Sequence, residues 1–282
     1  MIDLKRQLLD ARNADGGWPY YRGKTSRLEP TAWALLALKS AGEPVSADVL
    51  GAWPRRDGLF VDRSSDAVNV AFNGMAAVAL VALDAPPRDR SALGDGLIAA
   101  KGEQIGPSQI NRQDNSLQGW SWTAGTFSWV EPTAWGVIAL KRLGRRDPAG
   151  MQRITQAERL LSDRVCKGGG WNHGNSNMLG VELMPYVTTS ALGLIALRDR
   201  PSQPHVVATL AYLRDRRLGE RSAMALGLTR IALGLFDLPA ADVDAALTDA
   251  AAHTAFLDNL HLTAIALYAN LGAESGYEAF RV

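Results

Sequence analysis

The chain has 282 residues, a length that fits one large domain or two small ones. Its 47% hydrophobic and 21% charged residues are typical of a folded protein and exclude a disordered chain. With 30 basic against 29 acidic residues the net charge is +1, and since no basic run occurs, nucleic-acid binding is excluded.

The N-terminal segment, residues 1–12, alternates leucine with charged residues and lacks the apolar core of a secretion signal. The longest apolar stretches, 32–38 and 75–83, are far shorter than the roughly 20 residues that a membrane span needs. The single cysteine, Cys166, excludes an intramolecular disulfide and is typical of a reducing compartment. These features predict a cytoplasmic protein without a membrane span, in which the Cys166 thiol is packed and unreactive.

An Ala/Leu-rich pattern at helical spacing recurs six times along the chain. Its copies cover residues 31–38, 75–83, 133–140, 189–197, 223–233 and 262–267. More charged, amphipathic segments accompany them, at residues 2–11, 46–53, 90–100, 149–163, 204–216 and 240–252. The sequence contains no sustained alternation typical of strands, so these segments predict an all-α protein of twelve helices.

The two sets of segments differ in polarity, and this difference predicts where each set lies. The Ala/Leu-rich set is apolar nearly all round and needs burial on all sides, whereas the other set is charged on one face. The prediction is therefore a single domain over residues 1–282, an (α/α)6 toroid with six inner and six outer helices. A linear solenoid is the alternative, but it would need polar terminal repeats, and the last apolar segment, 262–272, is not polar.

Long loops rich in aromatic residues precede the first, third and fourth apolar segments. In a toroid, loops that enter the inner helices from one side meet at one mouth of a central funnel, where a ligand would bind. The candidate substrate-binding residues are Tyr20, Tyr21, Trp33, Trp122, Phe127, Trp129, Trp135, His173 and Tyr186. Three further tryptophans, Trp18, Trp120 and Trp171, are expected to anchor loops, and His205, His253 and His261 to lie at the surface or bonded in the core.

In each of these three loops, a segment with glycine followed by tryptophan precedes the start of the next apolar segment. Residues 15–18 precede Glu29–Trp33, and 119–120 precede Glu131–Trp135, while 169–171 precede 189–192. This register resembles the repeats of the prenyltransferase and squalene/hopene cyclase superfamily over nearly the whole chain. The resemblance implies the toroid, but this fold carries several unrelated activities.

Two branches of that superfamily need residues that this chain does not provide. Protein prenyltransferases bind zinc, for which Asp163, Cys166 and His173 are the only candidates, and the Asp-x-Cys spacing is missing. Thioester-containing domains need a cysteine where residues 101–104 read Lys-Gly-Glu-Gln. We therefore expect no metal and no other cofactor.

The third branch, the class II terpene cyclases, protonates its substrate with an aspartate at the start of an inner helix. The resemblance places Glu29 and Glu131 in that position as candidate catalytic acids, with Pro30 and Pro132 where a partner aspartate would stand. The alternative is structural, because a proline at the first helical position and a carboxylate before it both favour a helix start. The only other Asp-x-Asp, residues 242–244, is predicted on the solvated face of an outer helix.

Three functional hypotheses follow from the sequence. The first is a terpene cyclase-like isomerase that binds an isoprenoid or similar apolar small molecule in an aromatic-lined funnel, with Glu29 or Glu131 as proton donor. The second is a non-catalytic toroid whose loop face binds a ligand, a protein partner or a second copy of the chain. The third is a lyase or glycoside-active toroid that pairs Glu29 with Glu131, or uses Asp66 or Glu182.

Overall fold

The computed structural model describes residues 3–63, 66–110 and 112–282. Within these ranges the chain forms twelve α-helices and two antiparallel hairpins of very short strands. The protein is therefore predominantly α-helical, as the sequence predicts. No helix in the described ranges is long and apolar enough to cross a membrane.

Six helices are buried on nearly every side and contain the Ala/Leu-rich repeats. These apolar helices are α2 (Leu28–Ser40), α4 (Val70–Ala82), α6 (Val130–Arg142), α8 (Val187–Ala196), α10 (Ala223–Leu235) and α12 (Leu260–Leu271). Their small residues allow close approach of neighbouring backbones. At Gly74 in α4, for example, a Cβ atom would lie 2.8 Å from the Cβ of Trp135 in α6.

The six remaining helices correspond to the charged segments. These flanking helices are α1 (Leu4–Asp10), α3 (Asp48–Gly51), α5 (Pro87–Ala99), α7 (Pro148–Asp163), α9 (Pro204–Arg216) and α11 (Ala241–Thr254). Proline at the first position of α5, α7 and α9 is pre-organised for a helix start. The segment predicted at 46–53 is reduced to one turn, and residue 2 of the first predicted segment lies outside the described residues.

Neighbouring apolar helices contact one another in chain order, from α2 through α4, α6, α8 and α10 to α12, and α12 also contacts α2. Flanking helices pack against them, α5 on α4, α7 on α6, α9 on α8 and α11 on α10, while α1 packs on α12. The aromatic loops lead into the first turns of α2, α6 and α8, and this end of those helices is called the loop side.

The two hairpins are the part of the structure that the sequence analysis missed. Strands β1 (Arg55–Arg56) and β2 (Leu59–Phe60) form one, and β3 (Asn177–Met178) and β4 (Val181–Glu182) form the other. Between β1 and β2, Asp57 and Gly58 both have positive φ, 51° and 81°, as in a type I′ turn. The Asp-Gly pair is a hairpin signal, but strands of two residues are too short to show alternation.

Tryptophan side chains join the flanking helices to the apolar helices that follow. The indole Nε1 of Trp120 donates to the Leu97 carbonyl in α5 at 2.8 Å, and its backbone N–H donates to Thr133 Oγ1 in α6 at 3.0 Å. Two other tryptophans repeat both bonds: Trp18 with Leu8 and Thr31, and Trp171 with Leu161 and Ser190. The anchoring role expected for these three residues is confirmed.

Glycines make room for this arrangement at the Trp120 site. A Cβ atom on Gly119 would lie 2.2 Å from Thr133 Oγ1, and one on Gly136 would lie 2.4 Å from the Trp120 ring. Neither contact is sterically allowed. Glycine is therefore needed both at Gly119, before Trp120, and at Gly136, in the next helix, for the Trp120 side chain to pack as it does.

A buried arginine, Arg153 in α7, holds the loop that leads to Trp120. Its guanidinium donates to the carbonyls of Ala100, Gln118 and Gly119 at 3.0–3.1 Å and lies 4.2 Å from the centre of the Trp120 ring. Burial lowers the pKa of Arg153 to about 10, so it remains charged at neutral pH. Among the described residues its partners are carbonyl oxygens and an aromatic face rather than carboxylates.

We predict that Thr133→Val lowers the free energy of unfolding by about 1–3 kcal/mol, because the buried Trp120 N–H loses its acceptor. The measurement is urea denaturation followed by circular dichroism.

Thr229→Val is the matched control, since Thr229 is also fully buried in an apolar helix but its hydroxyl has no hydrogen-bond partner among the described residues. It should leave the stability unchanged or raise it. Equal losses in the two variants would contradict the role assigned to the Thr133 hydroxyl.

Candidate functional site

The two predicted acids occupy equivalent positions in two apolar helices. Glu29 and Glu131 are the second residues of α2 and α6, and Trp33 and Trp135 follow each of them by four residues. Side chains four residues apart share one face of a helix. The Trp33 and Trp135 rings meet edge to face, with their centres 6.2 Å apart. The helix faces that carry the two glutamates therefore point into the same interior space.

Glu29 lies within a network of polar and aromatic side chains. The Tyr20 hydroxyl donates a short hydrogen bond to Glu29 Oε2, and His261 Nε2 lies 3.7 Å from Glu29 Oε1. Arg27 stacks over the Tyr20 ring at 5.7 Å and also binds the Asp62 carboxylate at 2.8 Å. Burial and the charge of Glu29 raise the pKa of Tyr20, so the phenol keeps its proton and remains a donor.

Glu131 has a different environment although its helix has the same sequence motif. Burial raises the pKa of Glu131 to about 7, and the nearby charge of Glu29 adds to this effect. No hydrogen bond or ion pair from the described residues reaches its carboxyl group. At neutral pH Glu29 therefore accepts a hydrogen bond, while Glu131 holds a proton in part of the molecules. Two carboxyl groups with such different protonation are typical of acid–base sites.

Neither glutamate caps its helix through a side-chain hydrogen bond, although both lie in the first turn, where the helix dipole favours a carboxylate. Helices α2 and α6 begin at Leu28 and Val130, one residue before each glutamate, and neither helix has a side-chain cap. The prolines are thus third in their helices, and the Glu29 carboxylate binds Tyr20 instead of a backbone N–H. Both side chains are available for interactions across the interior.

His261 lies in the core, which is one of the two placements expected for it, and it approaches Glu29 there. Its side chain is buried, and its Nε2 has no hydrogen-bond partner among the described residues. Burial lowers the pKa of His261, while the charge of Glu29 opposes this shift. The missed signal is its position, since His261 is the second residue of α12, as the two glutamates are in their helices.

Aromatic side chains fill the interior on the far side of the acids. Phe280, in a 3-10 turn at Glu278–Phe280, is fully buried, with its ring centre 5.6 Å from Trp33 and 6.2 Å from Trp135. Tyr268 of α12 packs against both Trp33 and Phe280, at 6.0 and 5.5 Å. Tyr268 and Phe280 lie far from the aromatic loops in sequence, so motif spacing gave no indication of them.

Four other predicted ligand-binding residues form a row on the loop side. Phe127 stacks on Trp129 at 4.8 Å, Trp129 meets His173 at 6.3 Å, and His173 meets Tyr186 at 5.0 Å. The backbone N–H of Val130 donates to the His173 carbonyl, which fixes this aromatic row beside Glu131. Phe127, His173 and Tyr186 are exposed, and Trp129 is partly buried.

The last two predicted ligand-binding residues lie apart from this row. The Tyr21 hydroxyl accepts a hydrogen bond from Asn259 at 3.3 Å, beside an open cavity of about 490 Å³. The other side chains around this loop-side cavity are Tyr20, Lys24, Thr25 and Arg27. Trp122 is partly buried against the core, and no ring contact joins it to the other aromatic residues in the described ranges.

A larger cavity, of about 600 Å³, lies where the apolar helices end. Its wall includes Leu36, Arg142, Tyr268, Leu271 and Glu278. Neither Glu29 nor Glu131 lines this distal cavity.

The residues considered for a zinc site do not form one. Cys166 is buried, and burial raises the pKa of its thiol, which keeps it protonated and unreactive as predicted. The Asp163 carboxylate binds the Arg164 guanidinium and the backbone N–H of Asp114. Within the described residues no three His, Cys, Asp or Glu side chains come together to hold a metal ion.

The alternative carboxylates lie in surface ion pairs. Asp66 pairs with Arg56 at 3.3 Å, and Glu182 lies 3.9 Å from Arg112. In the Asp-x-Asp segment, both aspartates also pair with arginines, Asp242 with Arg217 and Asp244 with Arg230. These contacts agree with the solvated face predicted for residues 242–244.

No family model matches this chain, and no curated protein matches it significantly. The functional assignment therefore rests on the geometry of the site and on the sequence motifs.

We predict that the stability of the protein depends on the protonation of Glu131. Its pKa is raised from 4.5 to about 7 on folding, so its contribution is fully present below pH 4.5 and is lost as the pH rises to about 7. The free energy of unfolding should fall by about 1–3 kcal/mol over this range relative to Glu131→Gln. Urea denaturation at several pH values measures the difference.

The control is Glu103→Gln, which replaces an exposed carboxylate. It should keep the pH dependence of the wild-type protein. A Glu131→Gln variant with the same pH profile as wild type would contradict the assignment of a raised pKa to Glu131.

Proposed function

We propose that the protein is an (α/α)6 toroid of the terpene cyclase and prenyltransferase type that binds an isoprenoid-like molecule and closes it into a ring, with Glu131 as proton donor. The observation that carries the proposal is the pairing of a partly buried Glu131, whose pKa is raised to about 7, with a hydrogen-bonded Glu29, on the helix faces that also carry Trp33 and Trp135. The toroid is supported by the contact of α12 with α2, which makes the first and last apolar helices neighbours.

The acidity of Glu131 favours an oxygen atom as the group that it protonates. A carboxyl with a pKa of about 7 keeps its proton in about half of the molecules at neutral pH, so a general acid is available there. It is nevertheless a weak acid, and it donates to an oxygen far more readily than to a carbon–carbon double bond. An epoxide of an unsaturated isoprenoid has both the oxygen and the alkene that ring closure needs.

The proposed reaction is an isomerisation that begins with proton transfer from Glu131 to the epoxide oxygen. The carbon–oxygen bond breaks with its electron pair on oxygen, which leaves a hydroxyl group and a tertiary carbocation. The π electrons of a neighbouring alkene form the new carbon–carbon bond, and the resulting cation loses a proton to the Glu29 carboxylate. Return of this proton to Glu131 through water restores the starting state.

The surrounding residues suit these steps. The faces of Trp33 and Trp135 can stabilise a cation by about 0.5–2 kcal/mol each in a desolvated site. The Tyr20 hydroxyl holds the Glu29 carboxylate in place, Arg27 stacks on the Tyr20 ring, and His261 Nε2 lies 3.7 Å from the carboxylate. The aromatic row at Phe127, Trp129, His173 and Tyr186 offers an apolar approach from the loop side.

The test is incubation of the purified protein with 10,11-epoxyfarnesol, with products separated by gas chromatography and binding followed by native mass spectrometry. We expect cyclic alcohol from the wild type. Glu131→Gln should retain binding and lose at least about 100-fold in rate, since general acid catalysis contributes 10²–10⁴-fold.

Glu182→Gln, which changes an exposed carboxylate on the β3–β4 hairpin, is the control and should react like wild type. Conversion by Glu131→Gln at the wild-type rate would overturn the role of Glu131. Failure of the wild-type protein to bind either the epoxide or the parent alcohol would overturn the isoprenoid site itself.

A protein-interaction module is the second candidate, and the exposure of the aromatic row favours it. Tyr186 and Phe127 are 51% and 42% exposed, and the nearby hairpin adds Leu179, Val181 and Met184, each more than 60% exposed. An exposed apolar patch of this kind is typical of an interaction site. Loss of a partner on Tyr186→Ser, combined with no isoprenoid binding by wild type, would favour this candidate over the enzyme.

A further inference from the structure

The distal cavity lies at the C-terminal ends of α2, α4, α6 and α12. Its volume of about 600 Å³ is typical of sites that bind small molecules, which measure roughly 300–1,000 Å³. Three apolar side chains form part of its wall, Leu36, Val81 and Leu271. The cavity can therefore bury the apolar part of a ligand, and it does so apart from the two glutamates, which do not line it.

Two buried hydrogen-bond donors in the wall of this cavity lack an acceptor. The side chain of Tyr268 is only 2% exposed, and its hydroxyl has no hydrogen-bond partner among the described residues. Arg142 Nε is also buried without a partner in the part of the chain that the structure describes. A buried donor without an acceptor is unfavourable. Both groups therefore favour a ligand that brings an acceptor into the cavity.

The two donors are neighbours, and each is held in place. Burial raises the pKa of Tyr268, and the positive charge of Arg142 opposes this rise, an effect that requires the two groups to be close. Arg142 Nη1 donates to the Arg281 carbonyl at 2.5 Å, which fixes the guanidinium. The Tyr268 ring packs against Trp33 and Phe280. The donors are thus positioned before a ligand arrives.

The charges around the cavity favour a ligand with a single negative charge. Three basic and three acidic side chains line it: Lys39, Arg90 and Arg142, and Asp84, Glu274 and Glu278. The four helix ends add partial negative charge, because the helix dipole is negative at the C-terminus. These groups oppose a dianion such as phosphate. A carboxylate carries one charge and can accept hydrogen bonds from two donors with its two oxygens.

We propose that the distal cavity binds a monocarboxylate with an apolar body, such as a medium-chain fatty acid. The carboxylate accepts hydrogen bonds from Arg142 Nε and the Tyr268 hydroxyl. The apolar body lies against Leu36, Val81 and Leu271. This site is separate from the one assigned to the isoprenoid, and it does not depend on that assignment.

The experiment is isothermal titration calorimetry of the purified protein with octanoate, with 1-octanol as its uncharged analogue and with inorganic phosphate. We expect the wild type to bind octanoate at least tenfold more tightly than either of the others. Tyr268→Phe keeps the packed ring and removes only the hydroxyl. It should weaken octanoate binding about tenfold, because a hydrogen bond to a charged group is lost, and leave the binding of 1-octanol unchanged.

Tyr277→Phe is the matched control. It also removes one buried tyrosine hydroxyl, but that hydroxyl donates to the Ala269 carbonyl at 2.7 Å, and Tyr277 does not line the cavity. This variant should bind octanoate like the wild type, even where its stability is lower. Arg142→Lys keeps the positive charge but has no Nε donor, and it should weaken octanoate binding by a factor similar to that of Tyr268→Phe.

Three results would contradict the proposal. Absence of octanoate binding by the wild type, or equal affinity of the wild type and Tyr268→Phe for octanoate, would overturn the carboxylate site. Tighter binding of phosphate than of octanoate would overturn the choice of a monocarboxylate. The epoxide assay of Glu131 has a different substrate and different variants, so the two proposals fail independently.

Discussion

The structure depends on a hydrogen-bonded bridge made by tryptophan between consecutive helices. In each of three repeats, an indole N–H binds the end of a flanking helix while the backbone N–H of the same residue binds a hydroxyl in the next apolar helix. The bridge fixes how each apolar helix starts relative to its neighbour. Because the glutamates lie in those first turns, the same bridge fixes the position of the acids.

The two acids illustrate how equal motifs acquire unequal chemistry. Glu29 and Glu131 share the sequence Glu-Pro-Thr-Ala-Trp, and both Trp residues face the same interior. Their difference comes from the preceding loops, since Tyr20 reaches Glu29 and no equivalent donor in the described residues reaches Glu131. The repeated motif thus places both glutamates in the same way, and the different loops make Glu131 the proton donor and Glu29 the acceptor in the proposed reaction.

The sequence predicted the helices well because their signal is local. Apolar periodicity identified all twelve segments, and the Gly-Trp register identified the bridges that join them. Tyr268 and Phe280 join the aromatic interior through the contact of the last apolar helix and the C-terminal segment with α2, a long-range contact that no local pattern encodes. The pairing of Tyr20 with Glu29, and hence the inequality of the acids, was equally invisible in the sequence.

Arg153 gives the loop side of the molecule a different response to salt from that of its periphery. Ion pairs on the flanking helices, such as Arg6 with Asp10, join exposed charges and weaken as ionic strength rises. The guanidinium of Arg153 is instead shielded from solvent and bound to neutral carbonyl dipoles, on which dissolved ions have little effect. Concentrated salt therefore weakens the ion pairs of the periphery, while the loop leading to Trp120 keeps its shape.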